Sequence, residues 1–300
     1  MGVFLSGSFW GGGYSVRSSF DLKAKTVKVE SGQQIAQPAA LSEARYAETF
    51  GLLVRVSREY EPMKQALIRT ISRYCPESFS LLDIGAGRGI FIGDVLSELF
   101  RRPDLYGAYE SNPDHFQALQ AKSPELARQQ SVWREAFTSE TVLKPEWDVV
   151  LMSHSLYWMQ PMGLHVQAAL AGLKPGGVLV IFLQPPAGFY KLQLDFMDLM
   201  VCRDNGLNNH ASSQELMAEL KALNIDATEE LLPGYLDFSD IWDDDRALLD
   251  MGCFILGGEL REVPEWIQKK MVHHIQANTL QLDRFKLFNQ PTSMVIVQKS

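Results

Sequence analysis

Apolar residues recur at helical spacing in the part of the chain that begins at Leu41. Between Leu41 and Tyr74 they lie three and four positions apart, a pattern that predicts two amphipathic helices. Pro62 suits the first turn of a helix and disfavours helix at the residue before it, so we expect the two helices to meet within 57–62. Glu59 therefore lies at a helix junction, where its side chain can point into a site.

From Ser80 onward, short apolar runs alternate with amphipathic stretches. The runs predict strands and the stretches predict helices. Because the two alternate, we expect an α/β fold with a doubly wound, mostly parallel sheet and helices on both faces. The predicted strands are Ser80–Ile84, Leu105–Tyr109, Trp147–Met152, Val178–Leu183 and Ser293–Gln298, and the predicted helices are Ile90–Phe100, Pro113–Ala121, Ala168–Leu173, Ser212–Leu223 and Glu265–Ala277.

Composition narrows the class of protein. The 300 residues are 46% hydrophobic and 21% charged, and no uninterrupted apolar run approaches the roughly 18 residues that span a bilayer. A formal net charge of −8 disfavours a nucleic-acid-binding surface, because such surfaces concentrate Lys and Arg. Three widely spaced cysteines, Cys75, Cys202 and Cys253, indicate neither a disulfide framework nor a zinc site.

Residues 1–40 contain Gly11–Gly13 and scattered serines, a composition that predicts a flexible extension. Gly2 after the initiator Met, with Ser6 at the sixth position, also fits the loose pattern for N-myristoylation. One acyl chain anchors a protein only marginally, so we expect no stable membrane insertion.

The strongest chemical signal is the sequence DIGAGRG at 83–89, directly after a predicted strand. Its three glycines allow a tight turn and a close approach to a ligand at the carboxyl edge of the sheet. The spacing is not that of a P-loop, and Ile90 stands where a dinucleotide fingerprint has its last glycine. S-adenosylmethionine fits what remains. Asp83 can orient its cationic amine, and Glu110, 110 − 83 = 27 positions further on at the next strand end, can bind its ribose hydroxyls.

Together with the later turn at Pro175–Gly177, these features resemble the class I S-adenosylmethionine-dependent methyltransferases. The resemblance implies a seven-stranded, Rossmann-like sheet with a smaller helical substrate-binding region. It implies that Ser153 lies near the sulfonium of the cofactor and that His115 and Thr138 lie around the adenosine. The other cofactor-binding residues that it implies are Asp83, Gly85, Gly87, Gly89 and Glu110.

Four segments also resemble the histamine N-methyltransferase family. They are YAETF at 46–50, the stretch 147–158, the stretch from Gly234 to Asp240, and FNQPTS at 288–293. Their order and spacing agree with those of the family.

This second resemblance implies that Glu59 binds the cationic or imidazole end of an amine. Phe50, Tyr157 and Trp158 would then supply aromatic walls, which suit a compact cation. Three pocket positions depart from the family: His154 replaces an amide, Trp158 a tyrosine and Gln290 an asparagine, so the acceptor need not be histamine. His154 is a candidate proton acceptor or orienting group near neutral pH.

We therefore predict a methyltransferase that acts on a small molecule, with N-methylation of an imidazole or other small amine as the first hypothesis. Two alternatives stay open: an O-methyltransferase that uses His154 as a base, and a non-catalytic protein that binds the cofactor. We expect no metal and no nucleic-acid partner, a monomer or weak dimer, and a cytoplasmic location. The expected organisation is an extension (1–40), a cofactor-binding domain (41–185), an accessory region (186–285) and a closing strand (286–300).

Overall fold

The computed structural model describes residues 26–28, 34–36, 38–144, 146–199 and 211–300. The chain divides into two compact units, Met1–Gln37 and Pro38–Ser300. In the first unit, β1 (Thr26–Lys28) pairs antiparallel with β2 (Gln34–Ala36). Gly2 and Cys202 lie outside the described residues, and the flexible extension stays a prediction.

The described part of the second unit is built from the following elements. The strands are β3 (Ser80–Ile84), β4 (Leu105–Tyr109), β5 (Gln129–Trp133), β6 (Trp147–Ser153), β7 (Leu173–Leu183), β8 (Thr228–Leu232), β9 (Tyr235–Asp237), β10 (Thr279–Leu282), β11 (Phe285–Asn289) and β12 (Thr292–Gln298). The α-helices are α1 (Glu43–Val56), α2 (Tyr60–Tyr74), α3 (Ile90–Leu99), α4 (Pro113–Leu126), α5 (Met162–Ala171), α6 (Phe189–Asp195), α7 (Ser213–Ala222), α8 (Asp245–Leu256) and α9 (Glu265–Ala277).

Seven of these strands form one sheet in the order β5-β4-β3-β6-β7-β12-β8. The strands from β5 to β7 are mutually parallel, and β12 is antiparallel to both of its neighbours. The predicted α/β class, with a doubly wound and mostly parallel seven-stranded sheet, is confirmed. Strand β8 of this sheet comes from the region 186–285. A smaller antiparallel sheet has the order β10-β11-β9.

Alternating residues of the central strands enter two cores, one on each face of the sheet. Leu81 of β3 belongs to the core that includes Leu67 of α2. The next residue, Leu82, belongs to the core that includes Val166 of α5. This period of two on strands that are buried on both faces is what a doubly wound sheet requires.

Both edge strands of the large sheet lack a signal in the sequence. Four of the five residues of β8 are exposed, and no residue of β5 is fully buried. An edge strand without a buried face needs no apolar alternation, so neither was predicted.

Strand β7 is longer than predicted, because it begins at Leu173 and runs through Pro175–Gly177. Backbone pairing with the C-terminal end continues there: Gly176 N–H donates to Lys299 O at 2.8 Å, and Lys299 N–H donates to Gly177 O at 2.9 Å. Helix α5 begins at Met162, after Pro161, rather than at Ala168.

Two of the three cysteines lie in the described residues, and both are free thiols. Burial raises the pKa of Cys253 to about 12. Among the described residues, no helix is both long enough and apolar enough to cross a membrane.

Candidate active site

The glycine turn leaves the carboxyl end of β3 in a conformation that favours glycine. Gly85, Gly87 and Gly89 have φ angles of 75°, 57° and 69°, which side-chain-bearing residues rarely adopt. The N–H groups of Gly85 and Ala86 donate to Tyr109 O at 2.9 and 3.2 Å. The turn is therefore held against the end of β4.

Glu110 follows β4 and is buried beside this turn, with 8% of its surface exposed. Its Oε2 accepts a hydrogen bond from Gly87 N–H at 2.8 Å, and its Oε1 accepts one from Asn112 N–H at 2.7 Å. An ionised carboxylate has about four acceptor positions. Each oxygen thus keeps capacity for one hydroxyl of a bound diol, as the predicted ribose contact requires.

Asp83, the last but one residue of β3, is buried, and its Oδ2 accepts a hydrogen bond from the Tyr106 hydroxyl at 3.3 Å. Burial raises the pKa of Asp83 to about 7, the negative charge of Glu110 adds to the rise, and the Tyr106 bond opposes it. A cation bound nearby would favour the ionised form. The chemistry of these two carboxylates therefore fits a ligand with a cationic amine and a diol.

The loop after β6 packs directly on the glycine turn. The Ser155 hydroxyl donates to Ile84 O at 2.8 Å. A Cβ atom placed on Gly85 would overlap Ser155 Cβ, closer than side chains ever pack. Ser153 ends β6 and is half-buried. The loop 153–155 is thus in direct contact with the glycine turn.

His154 takes a left-handed backbone, with φ at 51°, and its N–H donates to Phe182 O at 3.0 Å. Its ring stacks on Tyr157 with 6.1 Å between centroids, and Nδ1 lies 3.3 Å from the Tyr157 hydroxyl. That hydroxyl accepts from Gln184 N–H at 2.7 Å. Nε2 of His154 is buried and makes no hydrogen bond to any described residue.

Glu59 lies at the N-cap of α2, the predicted helix junction, and is 9% exposed. Its Oε2 accepts a hydrogen bond from the Thr292 hydroxyl at 3.1 Å. Within the part of the chain that the structure describes, no cationic side chain pairs with it. Burial raises the pKa of Tyr157 well above its usual range, and the charge of Glu59 adds to the rise. The negative charge of Glu59 therefore acts on the Tyr157 hydroxyl, the group that contacts His154.

Gln290 is buried on the same side, beside Gly234. Its N–H donates to Gly234 O at 3.0 Å, and its Oε1 accepts from Phe189 N–H at 2.8 Å. A Cβ on Gly234 would lie 3.3 Å from Glu59 Cβ. Gln290 therefore lies near Glu59, and its side-chain amide oxygen already accepts a hydrogen bond.

Four predicted site residues have weaker ties to these groups. Phe50 is 38% exposed and packs on Tyr46 and Phe254. Trp158 is half-buried at the end of a short 3-10 turn. His115 is half-buried in the first turn of α4, and Thr138 is exposed in a turn closed by Thr141. Among the described residues, neither makes a hydrogen bond to Glu110 or Asp83. Their roles stay predictions.

Sequence reasoning missed four residues that organise the site. The Ser155 hydroxyl donates to Ile84 O and packs on Gly85. Tyr106 donates to Asp83, Thr292 donates to Glu59, and the backbone N–H of Gln184 donates to the Tyr157 hydroxyl. Ser155 follows directly after His154, a predicted site residue, and this adjacency in the sequence is a signal for its place in the site. The other three contacts join distant parts of the chain and leave no local pattern.

Comparison with known proteins identifies the family of this fold. Residues 56–230 match the model of a methyltransferase domain. Among solved structures, the chain is similar to the YcgJ protein of Bacillus subtilis, with a TM-score of 0.54, 12% identity, and coverage of 79% of this chain and 97% of that one. It is also similar to a candidate methyltransferase of Bacillus halodurans, with a TM-score of 0.52, 12% identity, and coverage of 78% and 97%. No curated protein sequence matches the chain.

Proposed function

The chain belongs to the family of methyltransferase domains, with S-adenosylmethionine as the methyl donor, and from that premise we propose that it methylates a nitrogen atom of a small amine or imidazole. The observation that carries the proposal is Glu59, a buried carboxylate without a cationic partner among the described residues. A buried charge is costly unless it is paired. A cationic group on the acceptor would supply the pairing.

The surroundings of Glu59 support a small acceptor. Thr292 donates a hydrogen bond to one carboxylate oxygen of Glu59, and the negative charge of Glu59 raises the pKa of Tyr157. Tyr157 in turn contacts His154, and the next residue, Ser155, packs on the glycine turn. Through Tyr157 and His154, Glu59 is therefore connected to the loop that packs on the glycine turn, and an acceptor held at Glu59 would lie on the Tyr157 side of that loop.

In methyl transfer the protein contributes mainly by binding the two reactants and orienting them. The cofactor, when bound, supplies an electrophilic methyl group on its sulfonium. Glu110 would hold the ribose hydroxyls and Asp83 the amine, while Glu59 would hold the cationic end of the acceptor. The nucleophilic nitrogen must be unprotonated, so an acceptor with one cationic and one neutral nitrogen suits the site.

The comparisons support the methyltransferase family and do not support the resemblance to histamine N-methyltransferases. The amine class is accordingly argued from the charge of Glu59 alone, and histamine is only one member of the class. O-methylation of a hydroxylated acceptor has no comparable support, because a hydroxyl would leave the buried charge unpaired.

The test combines calorimetric titration with S-adenosylmethionine and a panel of imidazole amines, other amines and hydroxylated acceptors, with products detected by mass. We expect an N-methylated product, and a loss of at least about tenfold in kcat/KM for Glu59→Gln, since a hydrogen-bonded buried charge pair contributes more than about 1.4 kcal/mol. Glu61→Gln is the matched control: this exposed acid of α2 pairs with Lys64 and Gln65 on the same helix.

The outcomes separate the alternatives. Cofactor binding with turnover of hydroxylated acceptors only would move the function to O-methylation. No cofactor binding at all would leave a non-catalytic scaffold. If the Glu59 and Glu61 variants affected turnover equally, Glu59 would not be part of the acceptor site.

A further inference from the structure

The Tyr157 hydroxyl accepts one hydrogen bond and has its own proton to donate. Gln184 N–H donates to it at 2.7 Å. Among the described residues, the other polar atom within hydrogen-bond distance of this hydroxyl is His154 Nδ1, at 3.3 Å. Within the part of the chain that the structure describes, the phenolic proton therefore has one acceptor in reach, His154 Nδ1.

The two neutral forms of His154 differ in how many buried groups they leave unpaired. With the ring proton on Nδ1, the Tyr157 proton has no acceptor and the Nε2 lone pair has no donor. With the ring proton on Nε2, the Tyr157 proton bonds to Nδ1 and Nε2–H is the one group left over. Since buried polar groups are nearly always paired, the second form is favoured.

We propose that Tyr157 is a positioning residue that holds His154 in the tautomer with its proton on Nε2, and that this N–H donates a hydrogen bond to the methyl acceptor. The second half of the proposal rests on the proposed function. The backbone supports a fixed donor, because His154 is pinned to β7 through Phe182 O and its ring is stacked on Tyr157.

This tautomer restricts the substrate class. A protonated Nε2 cannot take a proton from the acceptor, so in this tautomer His154 is a hydrogen-bond donor and not the predicted base. It is a donor that needs a partner. The acceptor is then a small amine that carries, besides the cationic group at Glu59, a ring nitrogen or a carboxylate or carbonyl oxygen that can accept this bond.

The tautomer can be read directly, without turnover. The full chain, labelled with 15N-histidine, is studied by long-range 1H–15N correlation at mildly basic pH, and His154 is identified among the six histidines by its absence in His154→Gln. We expect its proton on Nε2 in the wild type and a mixture of tautomers in Tyr157→Phe. A proton on Nδ1 in the wild type would overturn the assignment, whether or not the Phe variant folds.

Two isosteric variants test the donor on the acceptor. The amide nitrogen of Gln reaches the place of Nε2, whereas that of Asn reaches only the place of Nδ1. If Nε2–H binds the acceptor, His154→Gln keeps KM within about threefold while His154→Asn raises it about tenfold, the effect of one buried hydrogen bond. Asn tolerates the left-handed backbone at this position, so a higher KM in His154→Asn would not reflect misfolding.

Two results together would contradict the proposal and indicate that His154 is a base. The two variants would lose kcat equally, and an acid limb that the enzyme contributes to the wild-type pH profile of kcat/KM would be absent in both. Because the NMR result stands without any acceptor, a failed methylation panel with the Nε2–H form present would refute the proposed function and leave the tautomer assignment intact.

Discussion

Glu110 and Gly87 are joined by a hydrogen bond of 2.8 Å, from the backbone N–H of the glycine to Oε2 of the carboxylate. The bond ties the turn after β3 to the end of β4, which are the two sequence elements assigned to the cofactor. Glu110 thereby orders the turn and keeps acceptor positions for a ligand. Its removal should affect binding more than a single lost contact would.

Glu110→Ala is expected to weaken S-adenosylmethionine binding at least about a hundredfold, since two hydrogen bonds to a charged group contribute roughly 3 kcal/mol or more. Titration calorimetry measures the change. Glu77→Ala, an exposed acid just before β3, is the matched control and should bind as the wild type does. A folded Glu110→Ala protein with near wild-type affinity would remove Glu110 from the site.

Cofactor affinity should depend on pH through Asp83. Burial raises the pKa of this carboxyl to about 7, so it is neutral below that pH and ionised above it. A cationic amine binds the ionised form, and affinity should therefore fall about tenfold per unit as the pH drops below about 7.

Titrations between about pH 5 and 6.7 keep the α-amino group of the ligand protonated, because its usual pKa is about 7.7–8.0. Asp83→Asn should flatten the dependence, while Asp94→Asn, an exposed acid of α3, should preserve it. An unchanged slope in Asp83→Asn would place the titrating group elsewhere.

Gly85→Ala should destabilise the protein by roughly 2 kcal/mol or more, because the methyl group overlaps Ser155 and the positive φ is strained. Gly51→Ala is the opposite control: it lies in α1 with no atom within 4 Å of the added Cβ, and should stabilise by about 0.5–1 kcal/mol. Chemical denaturation measures both. Adding Ser155→Gly to Gly85→Ala should recover part of the loss, and no recovery would mean that overlap is not the cause.

Arg45→Met should cost about 2–3 kcal/mol of unfolding free energy. Its guanidinium binds Asp250 at 2.8 Å and Glu259 at 2.9 Å and so ties α1 to α8, with 18% of the side chain exposed. Lys269→Met removes an exposed pair with Glu265 and should leave the unfolding free energy almost unchanged, because exposed ion pairs are screened by solvent. Similar denaturation midpoints for the two variants would show that the Arg45 network adds little.

Much of the fold was predictable because its signals are local. The β–α alternation, the glycine turn and the helix junction at Glu59 follow from periodicity, φ preferences and Pro62, each within a few residues. The carboxylate at Glu110 could be placed near the turn, since the ends of adjacent parallel strands meet at one edge of the sheet. All of these are present in the structure.

Only the tertiary structure shows some features of the fold and the site. They are the edge strands β5 and β8, the hydrogen-bond partner of Glu59 and those of Tyr157. Thr292 lies 233 positions from Glu59, and Gln184 lies 27 from Tyr157. Such contacts depend on how the whole sheet and its helices pack, and an exposed edge strand needs no apolar pattern to mark it. The central strands, several of the helices and the glycine turn could be predicted from the sequence, because backbone preference and apolar periodicity act locally. Which polar atoms face one another around Glu59 and Tyr157 was decided by long-range packing.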